Sequence, residues 1–261
     1  MAKAFWRGAI SFGMVSIPVR MSLATETKTP SFNLLHKKCL TRPKQVLYCK
    51  KDNEYFSVKD TVRGYEYAKG QYIVFSESDF ESVPTKTLHT IAILGFVESK
   101  DIDPIYYYDS HYLEPEELGI KPFCLLRTTL AKTGRLGIAK VAFQRREHLC
   151  TLRPLDEIMV LHTMHYHDEI LPRHELAPPK TELKSEEVEM ATALVNAMSK
   201  KFKPDDYQDE YALVLQKLIE AKVEGQEIEA PPEVPEVKFE DLMSALRASI
   251  EEAQKAAALT R

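Results

Sequence analysis

The stretch FWRGAISFGMVSIPVRM at residues 5–21 constrains the fold more than any other part of the chain. Ile10, Phe12, Met14 and Ile17 are apolar positions in a run broken by Gly8 and Gly13 and closed by Pro18. Breaks of that kind suit turns and bulges in a curved antiparallel sheet. A second run, VRGYEYAKGQYIVFSESD at 62–79, alternates Tyr65 and Tyr67, turns at Lys69 and Gly70, and resumes with Tyr72, Val74 and Phe75. Apolar alternation on both sides of a glycine turn predicts paired strands.

Strand-like text continues to about residue 176, notably at 71–75, 88–97, 138–143 and 158–164. Turn chemistry at Asp103-Pro104, Glu114-Pro115 and Arg153-Pro154 separates these runs. One helix is expected over 121–132, with Phe123, Leu126 and Leu130 at helical spacing and Gly134 past its end. Short, regularly spaced strands with a single helix predict an α+β chain built on an antiparallel β-barrel or a strongly curved sheet. The character changes at ELAPPK, residues 175–180. Beyond it, Val188, Ala191, Leu194, Val195 and Met198 mark one helix, Pro204 breaks it, and Tyr211, Leu215, Leu218 and Ile219 mark another. The acidic, proline-rich EIEAPPEVPEV then leads to a short amphipathic helix carrying Phe239, Leu242, Leu246 and Ile250. The expected divisions are a barrel core at 1–176, a helical arm at 177–225, and a linker with its helix at 226–261.

The net charge of −4 argues against a nucleic-acid partner only on average. Residues 1–60 hold 11 Lys and Arg against 4 Asp and Glu, and residues 121–153 hold 8 against 1, so each block is +7. The intervening 61–120 is −7. Two basic blocks in an acidic protein are what a channel of one sign looks like in sequence. Lys37, Lys38, Arg42, Lys44, Lys50 and Lys51 crowd a hairpin tip or long loop around Thr41-Arg42-Pro43. Arg135, Lys140, Arg145 and Arg146 lie in or beside the strands after the first helix. These ten are candidates for neutralising DNA phosphates. With no recognition helix, zinc finger or RNA-binding motif visible, binding without sequence preference is expected.

Two histidine motifs carry metal chemistry as an alternative. His36, Cys39 and Cys49 give H-x2-C-x9-C, with Asp52 following, but a CxxC pair is missing and lysines flank the second cysteine. A basic loop with two incidental cysteines, holding no metal, is the expectation. In LHTMHYHDE, His165 and His167 would share one face of a strand, and with Asp168 would form the HxH-D pattern of a metal-dependent hydrolase. A second ligand motif is not evident, so a strand rim with its histidines packed on Tyr166 is the simpler reading. Tyr106, Tyr107, Tyr108, His111 and Tyr112 suit either base stacking or a strand packed on both faces; the latter is expected, as is a core position for Trp6. No nucleophile elbow, P-loop or GxGxxG is present, so no enzyme and no cofactor are expected. The four cysteines are too scattered for a disulfide framework. MAKAFWRG lacks a signal-peptide core, and no stretch nears ~18 consecutive apolar residues, so a cytoplasmic, non-membrane protein is expected.

The two opening strings resemble the bacterial Ku proteins, the DNA-end-binding components of non-homologous end joining. DPIYYYDSHYLEPE at 103–116, GRLGIAKVAFQRREHLCTLRP at 134–154 and FKPDDYQDEYALVLQKLIEAKVEG at 202–225 are similar to the same family. The resemblance implies a homodimeric ring that threads onto duplex ends and an ATP-dependent DNA ligase as partner. It also implies that the helices at 186–222 embrace the other protomer, and that the chain corresponds to the barrel-and-arm core alone. The family often carries a lysine-rich tail. This chain instead ends SIEEAQKAAALTR, so no tail-mediated DNA contacts are expected.

Overall fold

The amino-terminal hairpin forms as its residues dictate. Strands β1 (Trp6–Phe12) and β2 (Val15–Leu23) pair antiparallel, Ile10 opposite Ile17 and Trp6 opposite Met21. Gly13 takes φ +58° in the two-residue turn, a conformation glycine adopts without a Cβ penalty. The computed structural model describes residues 3–81, 89–144, 146–173, 181–225 and 245–251. Packing divides the chain into one unit of residues 1–27 and 32–172 and another of 28–31 and 173–261.

In the first unit, β3 (Leu47–Cys49), β4 (Glu54–Phe56), β5 (Arg63–Ala68), β6 (Gln71–Phe75) and the short helix α1 (Glu77–Glu81) follow the hairpin. Then come β7 (Thr90–Glu98), β8 (Tyr107–Pro115), helix α2 (Ile120–Thr133), β9 (Arg135–Phe143), β10 (Arg146–Leu155) and β11 (Ile158–Met164). Seven of these strands close a barrel in the order β1, β2, β8, β11, β10, β9, β7 and back to β1. The expected antiparallel barrel is therefore corrected to a mixed one: β1 and β7 run parallel, Ile10 beside Ile91. Parity is the reason. Seven strands cannot alternate direction all the way around a closed ring, so one neighbouring pair must run the same way.

Inward positions alternate with outward ones and build one core. Ile10, Met21, Ile91, Leu113, Val141, Leu152 and Leu161 are wholly shielded from solvent, and Trp6 is buried beside them as expected. Helix α2 extends the predicted 121–132 by one residue at each end, and Gly134 at φ +64° terminates it. Its stripe of Phe123, Leu126 and Leu130 is buried. The helix touches β2 and, across the strand order, β9 and β10, so it stoppers one end of the barrel. Each of those three side chains contributes about 1.5–3 kcal/mol by leaving water. Arg127 fixes the helix to the β10–β11 turn through bonds of 2.6 Å to the Asp156 carbonyl and to Glu157.

Between β2 and β7 the chain makes a long excursion. The Lys69-Gly70 hairpin appears where predicted, pairing β5 with β6, but as a two-stranded sheet outside the barrel; β3 and β4 form another. No residue from 31 to 80 is buried.

The second unit contains α3 (Ser185–Met198) and α4 (Glu210–Val223), with Pro204 in a turn between them as the sequence indicated. The Asp209 carboxylate caps α4 by accepting from the Ala212 amide at 2.9 Å. Leu194 on α3, and Leu215, Leu218 and Ile219 on α4, are half-buried, while Val195, Met198 and Tyr211 of the expected faces are exposed. Neither helix has a buried residue. Residues 245–251 are helical; the linkers at 175–180 and 227–237, with Phe239 and Leu242, lie outside the described residues.

Candidate nucleic-acid interface

Six of the candidate cations lie on the excursion, four of them on two turns and two on the chain between. Residues 36–41 fold into a tight turn, the Leu40 amide donating to the His36 carbonyl at 2.7 Å and the His36 amide to the Thr41 carbonyl at 2.8 Å. Lys37 and Lys38 sit within it, and Arg42 and Lys44 follow on irregular chain. Lys50 and Lys51 occupy the tip of the β3–β4 hairpin, where the Asn53 amide donates to the Cys49 carbonyl at 2.9 Å. The cross-strand pair Tyr48 and Tyr55, ring centres 5.1 Å apart, stiffens that tip. All six side chains are exposed, and none forms an ion pair among the described residues.

The second basic block is different. Arg135 opens β9 and is exposed, Lys140 lies on the outer face of β9, and Arg146 opens β10; Arg145 falls outside the described residues. Lys140 donates to Glu147 at 2.9 Å, and Arg146 to Glu169 at 2.5 Å. Donating to Glu147 raises the Lys140 pKa, and donating to Glu169 raises the Arg146 pKa. Tyr166 joins the two pairs. Its ring lies 5.8 Å from the Lys140 ammonium, and its amide donates to Glu169 at 2.7 Å. Sequence reading missed Glu147 and Glu169; the available signal for Glu169 was a carboxylate three residues past Tyr166, the spacing of a cap.

That cap also undoes the HxH reading. Strand β11 stops at Met164, and His167–Glu169 is a 3-10 turn, so His165 and His167 do not share a strand face. His165 meets the Tyr108 ring edge-on at 5.2 Å, and His167 Nδ1 lies 3.3 Å from the Tyr106 hydroxyl, so neither packs on Tyr166 as expected. His36 pairs with Cys39 at 3.1 Å, and Cys49 donates to Asp52 at 3.1 Å, as two separate pairs. Among the described residues no three metal-ligating side chains converge. Hydrogen bonds from Thr41, then His36, lower the Cys39 pKa to about 7.

Inside the barrel, His111 is buried and His148 half-buried, with Phe143 stacked on His148 at 4.3 Å and edge-on to His111 at 5.6 Å. On the outer face, Arg153 Nε donates to His162 Nε2 at 2.8 Å, which directs the His162 Nδ1 proton to Ser110 Oγ, also 2.8 Å away. Desolvation lowers the pKa of all three imidazoles. The tyrosine cluster divides as its alternation requires: Tyr108 is exposed, and Tyr107 packs edge-on to His162.

Comparison with known proteins follows this geometry. The model of the Ku70/Ku80 beta-barrel domain matches residues 11–201. The chain is 41% identical over 260 residues to the non-homologous end joining protein Ku of Symbiobacterium thermophilum, covering 98% of this chain and 65% of that protein. It is 38% identical to the protein of the same name from Solibacter usitatus, covering 97% of this chain and 95% of that one. The Archaeoglobus fulgidus protein of that name is also 38% identical, with 95% and 98% covered. This chain thus spans a little under two thirds of the Symbiobacterium protein and nearly all of the other two.

Proposed function

The chain belongs to the Ku family, and from that premise we propose that it binds double-stranded DNA ends, without sequence preference, as a homodimeric ring. The observation that carries this reading is the excursion: no residue from 31 to 80 is buried, yet it presents several exposed aromatic side chains and six cations without an ion pair among the described residues. Two-stranded sheets are marginal alone, and extensive exposed apolar surface is characteristic of interaction sites. Tyr55, Tyr65, Tyr67 and Tyr72 are each more than half exposed. A second copy of the chain covers these side chains, and a phosphate backbone satisfies the cations.

The working divisions are the barrel with its DNA-encircling excursion at 1–176, a helical arm at 177–225 that embraces the other protomer, and a linker with short helix at 226–261. The ring is a clamp, not an enzyme; it recruits an ATP-dependent end-joining ligase and acts in the cytoplasm at chromosome breaks. Among the described residues no helix is long and apolar enough to cross a membrane. The metal-hydrolase alternative is dropped, because its histidines do not share a strand face. The ten cations are assigned to DNA binding as a group, with Arg145 included by its place in the sequence.

A closed ring loads only where a duplex ends. Retardation of linear duplex, with closed circles of the same sequence failing to compete, is the expected result. Equal competition by circles overturns the reading.

A further inference from the structure

Two of the barrel-borne cations are held by the protein's own carboxylates. Lys140 is bound by Glu147 and Arg146 by Glu169, while the six cations of the excursion have no such partner among the described residues. Glu169 is fixed from behind by the Tyr166 amide, and its position is therefore set before any ligand arrives. Its own pKa is lowered, first by that amide and then by Arg146, so it stays ionised at neutral pH. The Arg146 side chain is 56% exposed and the Lys140 side chain 36%, so both pairs are wet and individually weak. A polyphosphate backbone, which releases condensed counterions on binding, displaces such a carboxylate; a single free anion does not.

We propose that Glu147 and Glu169 are internal phosphate surrogates. They hold Lys140 and Arg146 extended on the barrel surface, and they compete with the nucleic-acid backbone for those two cations. The inference rests on the DNA-end-binding reading and adds a control to it: the excursion makes the first electrostatic contacts, and the second basic block engages only when a continuous backbone outcompetes its carboxylates. This suppresses capture of isolated anions and makes the wild type less salt-dependent than a chain whose two cations stand free.

The test is a salt titration of linear-duplex binding by the full chain, comparing wild type with the Glu147→Gln, Glu169→Gln double variant. Glutamine keeps a hydrogen-bond acceptor for the Tyr166 amide, and a thermal melt matching wild type verifies the fold. Two freed cations steepen the slope of log affinity against log salt by about two, adding about a tenfold fall in affinity between about 50 and about 200 mM salt. Adding Lys140→Gln and Arg146→Gln to that variant returns the slope to the wild-type value or below. An unchanged slope in the double variant, with wild type still selecting ends, overturns the inference and leaves the end-binding reading intact. A steeper slope that survives loss of Lys140 and Arg146 assigns the effect to overall charge and also overturns it. Wild type that fails to bind linear duplex at all removes both.

Discussion

The barrel and the excursion between β2 and β7 are both read as strand from the same kind of alternation, yet they differ completely in what covers them. Ile10, Ile91 and Leu161 in the barrel are fully shielded, whereas Tyr65, Tyr72 and Val74 in the excursion are about 60% exposed. A closed barrel satisfies its own edges and packs its own interior. The excursion does neither. In the ring proposed above, its shape serves something outside the protomer, and its sequence would tolerate change according to that partner more than according to the protomer's stability.

The sharpest way to break this contrast is charge reversal at Lys37, Lys38, Arg42 and Lys44 together. End binding falls by roughly 10³-fold or more at physiological salt, while the dimer, followed by sedimentation, stays intact; retained affinity in a gel-shift assay removes that loop from the interface. Next in size is Phe123→Ala beneath the barrel stopper, which costs about 3–5 kcal/mol in urea denaturation through transfer and cavity terms. Loss of under 1 kcal/mol would show that α2 is an accessory. Acid should act on the barrel and spare the excursion. His111, His148 and His162 have folded pKa values lowered by burial, so the unfolded chain, with imidazoles near 6.5, takes up protons first. Stability is therefore level above that value and falls as pH drops through it. Asp109 opposes the effect at His111, while Arg146 near His148 and Arg153 near His162 reinforce it. A urea midpoint no lower at about pH 5.5 than at about pH 7.5 contradicts it. Tyr72→Ala in the excursion changes protomer stability by about 0.5 kcal/mol or less, as exposed sites do, but weakens self-association; the reverse pattern would merge the two regions. The smallest effect is chemical: alkylation at neutral pH should label Cys39 first, its thiol held near 7, and leave Cys150 last, since burial pushes that thiol far up.

Most of the barrel was legible because alternation, glycine turns and proline breaks are local signals. Trp6, the Gly13 turn and helix α2 with its three apolar anchors were all readable from short windows. The parallel seam was not, since Ile10 and Ile91 meet only when strand number and closure are known together. The same distance hid the candidate interface's inner half. Lys140 and Arg146 registered as bare charge, but Glu169, far along the chain, decides how free Arg146 is. His165 and His167 misled because pattern says which residues would share a strand face only while the strand lasts. Tyr65 and Tyr72 marked a hairpin correctly without revealing that both its faces stand in water.

The β1–β7 seam also sets an order of events as the chain leaves the ribosome. Residues 9–11 must wait for residues 90–92, and the ring then stays incomplete until β11 slides between β8 and β10. Pairings this remote in sequence carry a loop-closure cost before they return any contact, which makes sealing slow compared with making the first hairpin. Until residue 164 has emerged, the nascent chain holds an open, half-dressed sheet whose bare borders invite neighbours.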